Sequence, residues 1–330
     1  MKRAKITGVG YYVPEQVVTN DELTQYMETS DEWIQERTGI KQRRFFKEGV
    51  DTVSQMGSNA AKMAMERAGV KPADIEMVIF ATLSPNYYFP GSGVLLQREL
   101  GLREIAVFDI RQQCSGFIYG LSLADQYIRT GTYKTILLVG AEIQSNIMEL
   151  SDRGRTMSVI FGDGAGAVVI QASDEPGILS THIYADGTFA EELMQQHPSS
   201  NGKTRLTAEM LTDGSMLPYM NGKLVFKHAV VRFPQVIREA LTVNGFTEKD
   251  IDLLIPHQAN IRIAEAVQKD LGLSDGQVFN NIEKYGNTTA ASIPIALAEA
   301  WEAGKVKQGD LVCLAAFGSG FTWGSALMRW

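Results

Sequence analysis

The chain carries the same order of segments twice, and this repetition limits the folds that it can adopt. Residues 107–110 (Val-Phe-Asp-Ile) lead into a cysteine-bearing segment and a helix-like run that ends at Gly131. Residues 278–281 (Val-Phe-Asn-Asn) lead into an asparagine-bearing segment and a run that ends at Gly304. The other paired segments are residues 74–79 with 250–255, 135–141 with 311–316, and 162–170 with 318–328. The order indicates a duplicated unit of alternating strands and helices, although apolar strands also resemble one another by chance.

The apolar runs are of strand length and alternate with helical patterns, which predicts an α/β fold. Two helices are predicted where small and apolar residues recur at helical spacing, residues 54–68 before Gly69 and residues 261–271 before Gly272. A polar segment from about residue 186 to residue 220 interrupts the pattern and is expected to leave the core and line an entrance. The predicted strands are residues 77–81, 135–141, 165–171, 253–256 and 311–316.

Composition excludes several classes of function. The formal net charge of −7 disfavours nucleic acid as a general partner, because phosphate binding needs clustered cations. No run approaches the roughly 18 apolar residues of a membrane helix, and no apolar signal segment follows the basic N-terminus. Two cysteines make no disulfide framework, which fits a reducing compartment and predicts a cytoplasmic protein. The histidines and cysteines show no metal-ligand spacing, so no metal is predicted.

Three residues could carry chemistry, and each also has a simpler explanation. Cys114 follows a strand and begins an apolar helix, where the helix dipole would stabilise a thiolate; a buried, inert cysteine is the alternative. His257 follows strand 253–256, at the strand edge where open α/β folds place their sites, or it is a structural loop histidine. Asn287 precedes small residues and could instead cap the next helix.

Taken together, these residues lie in motifs that resemble the β-ketoacyl-[acyl-carrier-protein] synthase III family over nearly the whole chain. The resemblance implies a thiolase-like fold with duplicated βαβαβ-type halves, residues 1–172 and 173–330, in five αβαβα layers. The matching motifs are Ser-Asp-Glu-Trp-Ile at 30–34, Arg-Thr-Gly-Ile at 37–40, Asp-Arg-Gly at 152–154, Phe-Gly-Asp-Gly-Ala-Gly at 161–166, Pro-His-Gln-Ala-Asn at 256–260, Tyr-Gly-Asn-Thr at 285–288 and Phe-Gly-Ser-Gly-Phe-Thr-Trp-Gly at 317–324.

The resemblance implies a catalytic triad of Cys114, His257 and Asn287. Cys114 would take the acyl group of an acyl-CoA, and malonyl-acyl carrier protein would then lose carbon dioxide and attack the acyl-enzyme, initiating fatty acid synthesis. His257 and Asn287 would donate hydrogen bonds to the enolate, and the backbone N–H groups of Cys114 and Ser319 would bind the later oxyanion. Coenzyme A enters this scheme as a substrate thioester, with no permanently bound cofactor.

The resemblance also implies three binding surfaces. Phe89 would reach into the acyl pocket of the neighbouring subunit of a homodimer. A basic patch for the acidic carrier protein would comprise Lys227, Arg262 and Lys269. The tunnel for coenzyme A and pantetheine would be lined by Trp33, Arg37, Arg153, Phe226, Asn260 and Arg262.

Three departures from the family pattern leave the acyl substrate open. Arg111, Gln112 and Gln113 stand where small residues are usual, Ser319 stands for a glycine, and the segment around residues 187–218 is longer than expected. Serine at 319 would be costly if a positive φ were required. These departures support an alternative, a specialised enzyme that primes a polyketide or joins two acyl chains. A thiolase is disfavoured because Ala316 and Phe317 hold the positions just before Gly318, where its second cysteine would stand, and Cys313 lies further upstream. A hydroxymethylglutaryl-CoA synthase is disfavoured because no carboxylate base is evident, and a non-catalytic subunit because the triad is complete.

Overall fold

The computed structural model describes residues 2–330, which form helices and strands in alternation. The helices are α1 (Asn20–Leu23), α2 (Asp31–Thr38), α3 (Val53–Ala68), α4 (Ser92–Glu99), α5 (Gly116–Arg129), α6 (Arg155–Ser158), α7 (Gly222–Val243), α8 (Ile261–Leu271), α9 (Ile282–Tyr285) and α10 (Ser292–Glu302). The strands are β1 (Arg3–Tyr12), β2 (Gln16–Thr19), β3 (Gln42–Phe45), β4 (Met77–Ala81), β5 (Ala106–Ile110), β6 (Thr135–Glu142), β7 (Gly164–Ser173), β8 (Ile178–Ala185), β9 (Leu193–Gln195), β10 (Pro218–Met220), β11 (Leu253–Pro256), β12 (Leu311–Gly318) and β13 (Thr322–Arg329).

Two sheets with matching strand order confirm the repetition seen in the sequence. The first sheet has the order β1-β7-β6-β4-β5, and the second has β8-β13-β12-β11. In the first sheet β1 and β6 each pair antiparallel with β7, and β6 then pairs parallel with β4. In the second sheet β8 and β12 each pair antiparallel with β13, and β12 then pairs parallel with β11. The counterpart of β5 is reduced to a parallel bridge between Leu254 and Val278. Residues 107–110 and 278–281 therefore hold equivalent places.

The buried side chains define five layers. Alternate residues of a strand face opposite sides of its sheet. Helices α5 and α10 pack between the two sheets, where Phe117 and Leu297 join Ile79 and Leu314 in one core. The outer face of the first sheet packs against α3 and α4, and the outer face of the second packs against α7 and α8. The chain thus forms a thiolase-type αβαβα arrangement.

The predicted helices and strands are found, with ends that differ by a few residues. The helix predicted at 54–68 begins one residue earlier, because the Thr52 side chain caps it by accepting the Gln55 N–H. Helix α8 has the predicted bounds and ends at Gly272, whose φ of 66° suits glycine. The polar segment after β8 contains β9 and β10, which pair with each other. No helix among residues 2–330 combines the length and apolar character needed to cross a membrane.

Candidate functional site

Cys114 lies in a tight turn between the end of β5 and the start of α5. A 3₁₀ turn spans Gln113–Ser115, and Gln113 has a φ of 44°, which is unusual for a residue other than glycine. The Ser115 hydroxyl donates to the Thr322 carbonyl at 2.9 Å, so the turn is fastened to β13 of the other sheet. Only 8% of Cys114 is exposed. The turn fixes the thiol where the two halves meet.

The Cys114 thiol is protonated in the ligand-free protein. Burial and, after it, the negative charge of Glu142 raise its pKa to about 12, while the N–H groups of Cys114 and Ser319 act in the opposite direction. The N–H groups at the helix start thus favour the thiolate, as expected, but desolvation outweighs them in the empty site. The thiol must lose its proton when substrate is bound.

His257 follows β11 and is held by its neighbours as a neutral hydrogen-bond donor. Its backbone N–H donates to the Ala315 carbonyl at 2.8 Å, and only 3% of the residue is exposed. The Ser292 oxygen accepts the Gln258 N–H at 3.4 Å and lies 2.6 Å from His257 Nδ1. We assign the tautomer in which the Ser292 hydroxyl donates to Nδ1 and the ring proton resides on Nε2, which is buried and has no hydrogen-bond partner among residues 2–330. Burial lowers the pKa of His257 to about 3.

Asn287 is also oriented by its own segment. Its Oδ1 accepts the Thr289 N–H at 2.9 Å, which leaves the Nδ2 donor for another partner. Thr289 has a φ of 47°, an uncommon conformation for a β-branched residue. The cap residue of α10 is Ala291, so the alternative in which Asn287 caps this helix is wrong. Asn287 lies in the short segment between α9 and α10, and Ser292, which contacts His257, is the first residue of α10.

The three residues line one cavity of about 550 Å³. Both uncommitted donors, His257 Nε2 and Asn287 Nδ2, thus belong to groups that border the same space as the Cys114 thiol. Three of the residues predicted for coenzyme A, Phe226, Asn260 and Arg262, line the cavity as well. The polar segment contributes Leu193 and Met220 to the lining of the cavity. The arrangement can hold a thioester beside a nucleophile and supply donors to a developing negative charge.

Ser319 meets none of the strain that its replacement of a glycine suggested. The residue of positive φ in this turn is Gly320, with φ 113°, and Ser319 is not in that region. Its hydroxyl donates to the Leu193 carbonyl and so joins the turn to β9. Its N–H lies near enough to the Cys114 sulfur to lower the thiol pKa, as does the N–H of Cys114 itself.

Gly318 packs so closely against Cys114 that no side chain fits at position 318. A Cβ at position 318 would lie 2.7 Å from Cys114 Cβ and 3.2 Å from Cys114 Sγ. We expect Gly318→Ala to displace the thiol and to slow acylation at least about tenfold, since small misplacements of reacting groups are costly. The acylation rate is measured by intact mass. Gly276→Ala, where the added Cβ meets open space, is the matched control; equal rates in both variants would contradict the prediction.

Two arginine side chains lie over Trp33, and Arg153 makes a different contact. The Arg37 guanidinium lies 4.4 Å from the Trp33 ring centre, and Asn260 Nδ2 donates to the Arg37 carbonyl at 2.8 Å, which connects this surface to the cavity. Arg153 instead pairs with Glu149. The second guanidinium on Trp33, at 5.1 Å, is that of Arg155. The sequence offered no signal to separate these two arginines, which are two residues apart.

The basic patch and the acyl side of the site are also placed. Lys227, Arg262 and Lys269 are exposed on the neighbouring helices α7 and α8, and Lys223, which the sequence analysis missed, lines the cavity. Phe89 is 80% exposed. A second cavity of about 260 Å³, here named the acyl-side cavity, also borders Cys114. It is lined by Leu83, Arg111, Gln113, Cys114, Gln144, Ile147, Met148, Met157, Phe161, Leu193, Met194, Gln195, Pro218, Thr289 and Ser319.

Comparison with known proteins agrees with this geometry. The family described as 3-Oxoacyl-[acyl-carrier-protein (ACP)] synthase III matches residues 108–187, and its C-terminal family matches residues 241–330. Beta-ketoacyl-[acyl-carrier-protein] synthase III of Methylococcus capsulatus is 46% identical over 327 residues, 99% of each chain. The enzyme of that name from Coxiella burnetii is 44% identical over 330 residues, all of both chains. The crystal structure of 3-oxoacyl-[acyl-carrier-protein] synthase III from Aquifex aeolicus is 43% identical with a TM-score of 0.91, covering 99% of this chain and 100% of that one.

The fold and these comparisons define a condensing enzyme of the acyltransferase class. Within that class, the chain belongs to the β-ketoacyl-[acyl-carrier-protein] synthase III family. The matches cover 99% to 100% of this chain and of each relative, so the segment around residues 187–218 does not make this chain longer than those relatives. The comparisons do not favour the specialised alternative.

Proposed function

We propose that this enzyme joins an acyl group from an acyl-CoA to a malonyl group on acyl carrier protein, with loss of carbon dioxide. The observation that carries the proposal is the position of Cys114, which borders both the 550 Å³ cavity and the acyl-side cavity. The first cavity also contains the two uncommitted donors. A nucleophile between a space for an acyl chain and a space for an incoming thioester suits two successive half-reactions at one sulfur.

In the first half-reaction, the Cys114 sulfur attacks the carbonyl carbon of the acyl-CoA. The carbon–sulfur bond to coenzyme A breaks, and the thiol proton of Cys114 ends on the departing coenzyme A, so the exchange is balanced. The N–H groups of Cys114 and Ser319 are placed to donate to the oxyanion formed on the way. No resident cofactor takes part, and coenzyme A serves only as the carrier of the primer.

In the second half-reaction, the malonyl thioester occupies the larger cavity and loses carbon dioxide. The enolate that remains carries a negative charge on its oxygen, and His257 Nε2 and Asn287 Nδ2 supply hydrogen bonds to it. Both groups are neutral, since burial holds the His257 pKa at about 3, so they stabilise the charge without exchanging a proton. The carbanion then attacks the acyl-Cys114 thioester and releases the β-ketoacyl product.

The approach of both thioesters is expected along the surface beside α2, α7 and α8. The Trp33 face can stack on adenine while Arg37 and Arg155 bind phosphate, because guanidinium groups pair well with phosphate oxygens. Phe226, Asn260 and Arg262 line the passage to Cys114, and Arg153 stands at its rim, paired with Glu149. The exposed cations of the basic patch, Lys227, Arg262 and Lys269, suit an acidic carrier protein, and a cytoplasmic setting suits these substrates.

A homodimer would complete the acyl-side cavity. Strand β5 is the open edge of the first sheet, and Phe108 on it is 43% exposed. Tyr87 and Phe89 on the nearby loop are 60% and 80% exposed, which is unusual for aromatic side chains without a partner. Phe89 does not line the acyl-side cavity of its own chain. We infer that it enters the cavity of the second subunit.

We expect Phe89→Ala to lower acyl loading about 10- to 100-fold, the equivalent of removing one buried aromatic side chain. Subunit mixing tests whether Phe89 acts across the dimer. A mixed dimer of Phe89→Ala and Cys114→Ser subunits has one site with both Cys114 and an intact Phe89 from the partner, so it should regain activity. Mixed dimers no better than the separate variants, or a fully active monomer, would contradict the assignment.

The proposed function is tested by supplying acyl-CoA primers of several lengths with malonyl-acyl carrier protein and identifying the product by mass. The expected product is a β-ketoacyl-acyl carrier protein two carbons longer than the primer, with one equivalent each of coenzyme A and carbon dioxide. Product from two acyl chains without malonyl-acyl carrier protein would overturn the proposal in favour of the specialised alternative.

A further inference from the structure

Glu142 is a buried carboxylate without a cationic partner among the described residues. It is the last residue of β6 and is fully buried. Its oxygens accept hydrogen bonds from the Leu83 N–H at 3.1 Å, the Ser84 N–H at 3.2 Å and the Ser84 hydroxyl at 2.5 Å. The Thr82 hydroxyl, at 3.2 Å, and Gln144 Nε2, at 3.3 Å, also donate to it. A carboxylate is rarely buried without an ion pair, so its retention calls for a function.

The partners of Glu142 form one side of the acyl-side cavity. Leu83 and Gln144 line that cavity and are bonded to the carboxylate directly. Thr289 lines it too, and its hydroxyl, which has no partner of regular hydrogen-bond geometry, lies near enough to lower the pKa of Glu142. Since the Thr289 N–H holds Asn287 Oδ1, the carboxylate lies at the junction of the cavity wall and the donor segment.

The charge of Glu142 also acts on the nucleophile. Its burial raises its own pKa to about 7, against the effect of its donors, so the carboxylate is ionised above neutral pH. In that state its field disfavours the Cys114 thiolate. The other nearby acid is Asp163, which accepts the N–H groups of Gln144 and Ser145. The segments at residues 82–84 and 289–291 present only hydroxyl and amide groups to the carboxylate.

We propose that Glu142 is a positioning residue with two effects: it fixes the wall that selects the acyl chain, and its charge, held behind the same wall that borders Cys114, opposes ionisation of the thiol in addition to burial. The first effect rests on the proposed function, because it assigns the acyl-side cavity to the primer. The second effect does not. Glu142 touches neither substrate nor the reacting atoms and acts through Leu83, Gln144, Thr289 and its field.

Two substitutions separate the wall from the charge. Glu142→Gln keeps the side-chain length but removes the charge and presents a donor to the Ser84 N–H. Glu142→Asp keeps the charge but withdraws the oxygens from the segment at residues 82–84. We therefore expect Glu142→Gln to change both thiol reactivity and primer order, and Glu142→Asp to change mainly the primer order.

Thiol reactivity is measured as the rate of Cys114 alkylation by iodoacetamide across pH 6 to 10, followed by intact mass. A Cys114→Ser protein supplies the background from Cys313. Glu142→Gln should alkylate about threefold faster or more at pH 8.5, with its profile moved to lower pH, because a nearby like charge has been removed. Glu142→Asp, which keeps the charge, is the matched control, because a packing defect that admits water would speed alkylation in both variants. An unchanged profile in a folded Glu142→Gln protein would overturn the effect of the charge.

Primer selection is measured as loading from a series of acyl-CoAs. The ratio of loading between the longest and shortest acceptable primers should change at least about threefold in both variants, and an unchanged order in both would overturn the effect on the wall. If the wild-type protein accepts no acyl-CoA but the alkylation profile still moves, the proposed function fails and the charge effect stands. If Glu142→Gln does not fold, Ser84→Ala tests the wall, and there an unchanged primer order again overturns it.

Discussion

Cys114→Ser is expected to remove acyl loading, lowering the rate on the order of 10⁴-fold or more, as loss of a nucleophile does in other acyl-transfer enzymes. A serine hydroxyl in the same desolvated turn is a much weaker nucleophile than sulfur, and no base contacts it in the free protein. The measurement is intact mass after incubation with short, branched and medium-chain acyl-CoAs. Wild-type protein should gain one acyl mass, and the variant none. The primer that loads best then identifies the primer class.

Cys313→Ser is the matched control for this experiment. Cys313 is fully buried in the outer core between the second sheet and helices α7 and α8 and lines neither cavity. The Cys313→Ser protein should therefore load acyl groups at the wild-type rate. An acyl adduct on Cys114→Ser, or its loss in Cys313→Ser, would show that the nucleophile is misassigned.

The second large effect is expected when either enolate donor is removed. His257→Ala and Asn287→Ala should each lower decarboxylation of malonyl-acyl carrier protein about 10²- to 10³-fold, the range found when one oxyanion donor is deleted. Acyl loading of Cys114 should change much less, since the donors of that step are the N–H groups of Cys114 and Ser319. The two half-reactions are measured separately, as carbon dioxide release and as acyl mass. Equal losses in both would contradict the division of roles.

The pH dependence of decarboxylation provides a further check on His257. Its folded pKa of about 3 lies below the ordinary histidine value of 6.5, so the ring stays neutral as the pH falls from 8 to 5. The contribution of His257 to the rate should therefore stay constant over that interval and decline only near pH 3. A fall centred near pH 6.5 that disappears in His257→Ala would show that the protonated ring is inactive and that burial does not lower its pKa, which would contradict the prediction.

The fold was predictable because its main cause is visible in local pattern. Apolar strand runs ending in glycine-rich turns occur twice in the same order, and two sheets sharing a central helical layer are the way in which such copies bury their apolar faces. The weakest repeat, residues 278–281, corresponds to the place where a strand is reduced to a bridge at Val278. Residues 278–281 thus occupy the position that the sequence similarity predicts, but only one residue of the segment pairs with the sheet.

The three triad residues were predicted from motifs that resemble a known family, and the structure brings all three to one cavity. Its electrostatics could not be found in this way. The thiol pKa depends on how deeply Cys114 is buried and on Glu142, which is 28 residues away in the chain. The same holds for Arg155 on Trp33 and for the tautomer of His257, set by Ser292. Such properties arise from packing between segments distant in sequence.

The deep burial of Cys114 has a consequence for the lifetime of the enzyme. Hydrogen peroxide and other mild oxidants react with thiolates rather than thiols, and the pKa of about 12 leaves almost no thiolate in the empty site at neutral pH. The resting enzyme is therefore protected from formation of sulfenic acid and the irreversible states beyond it. Its nucleophile is spared from this oxidation between turnovers.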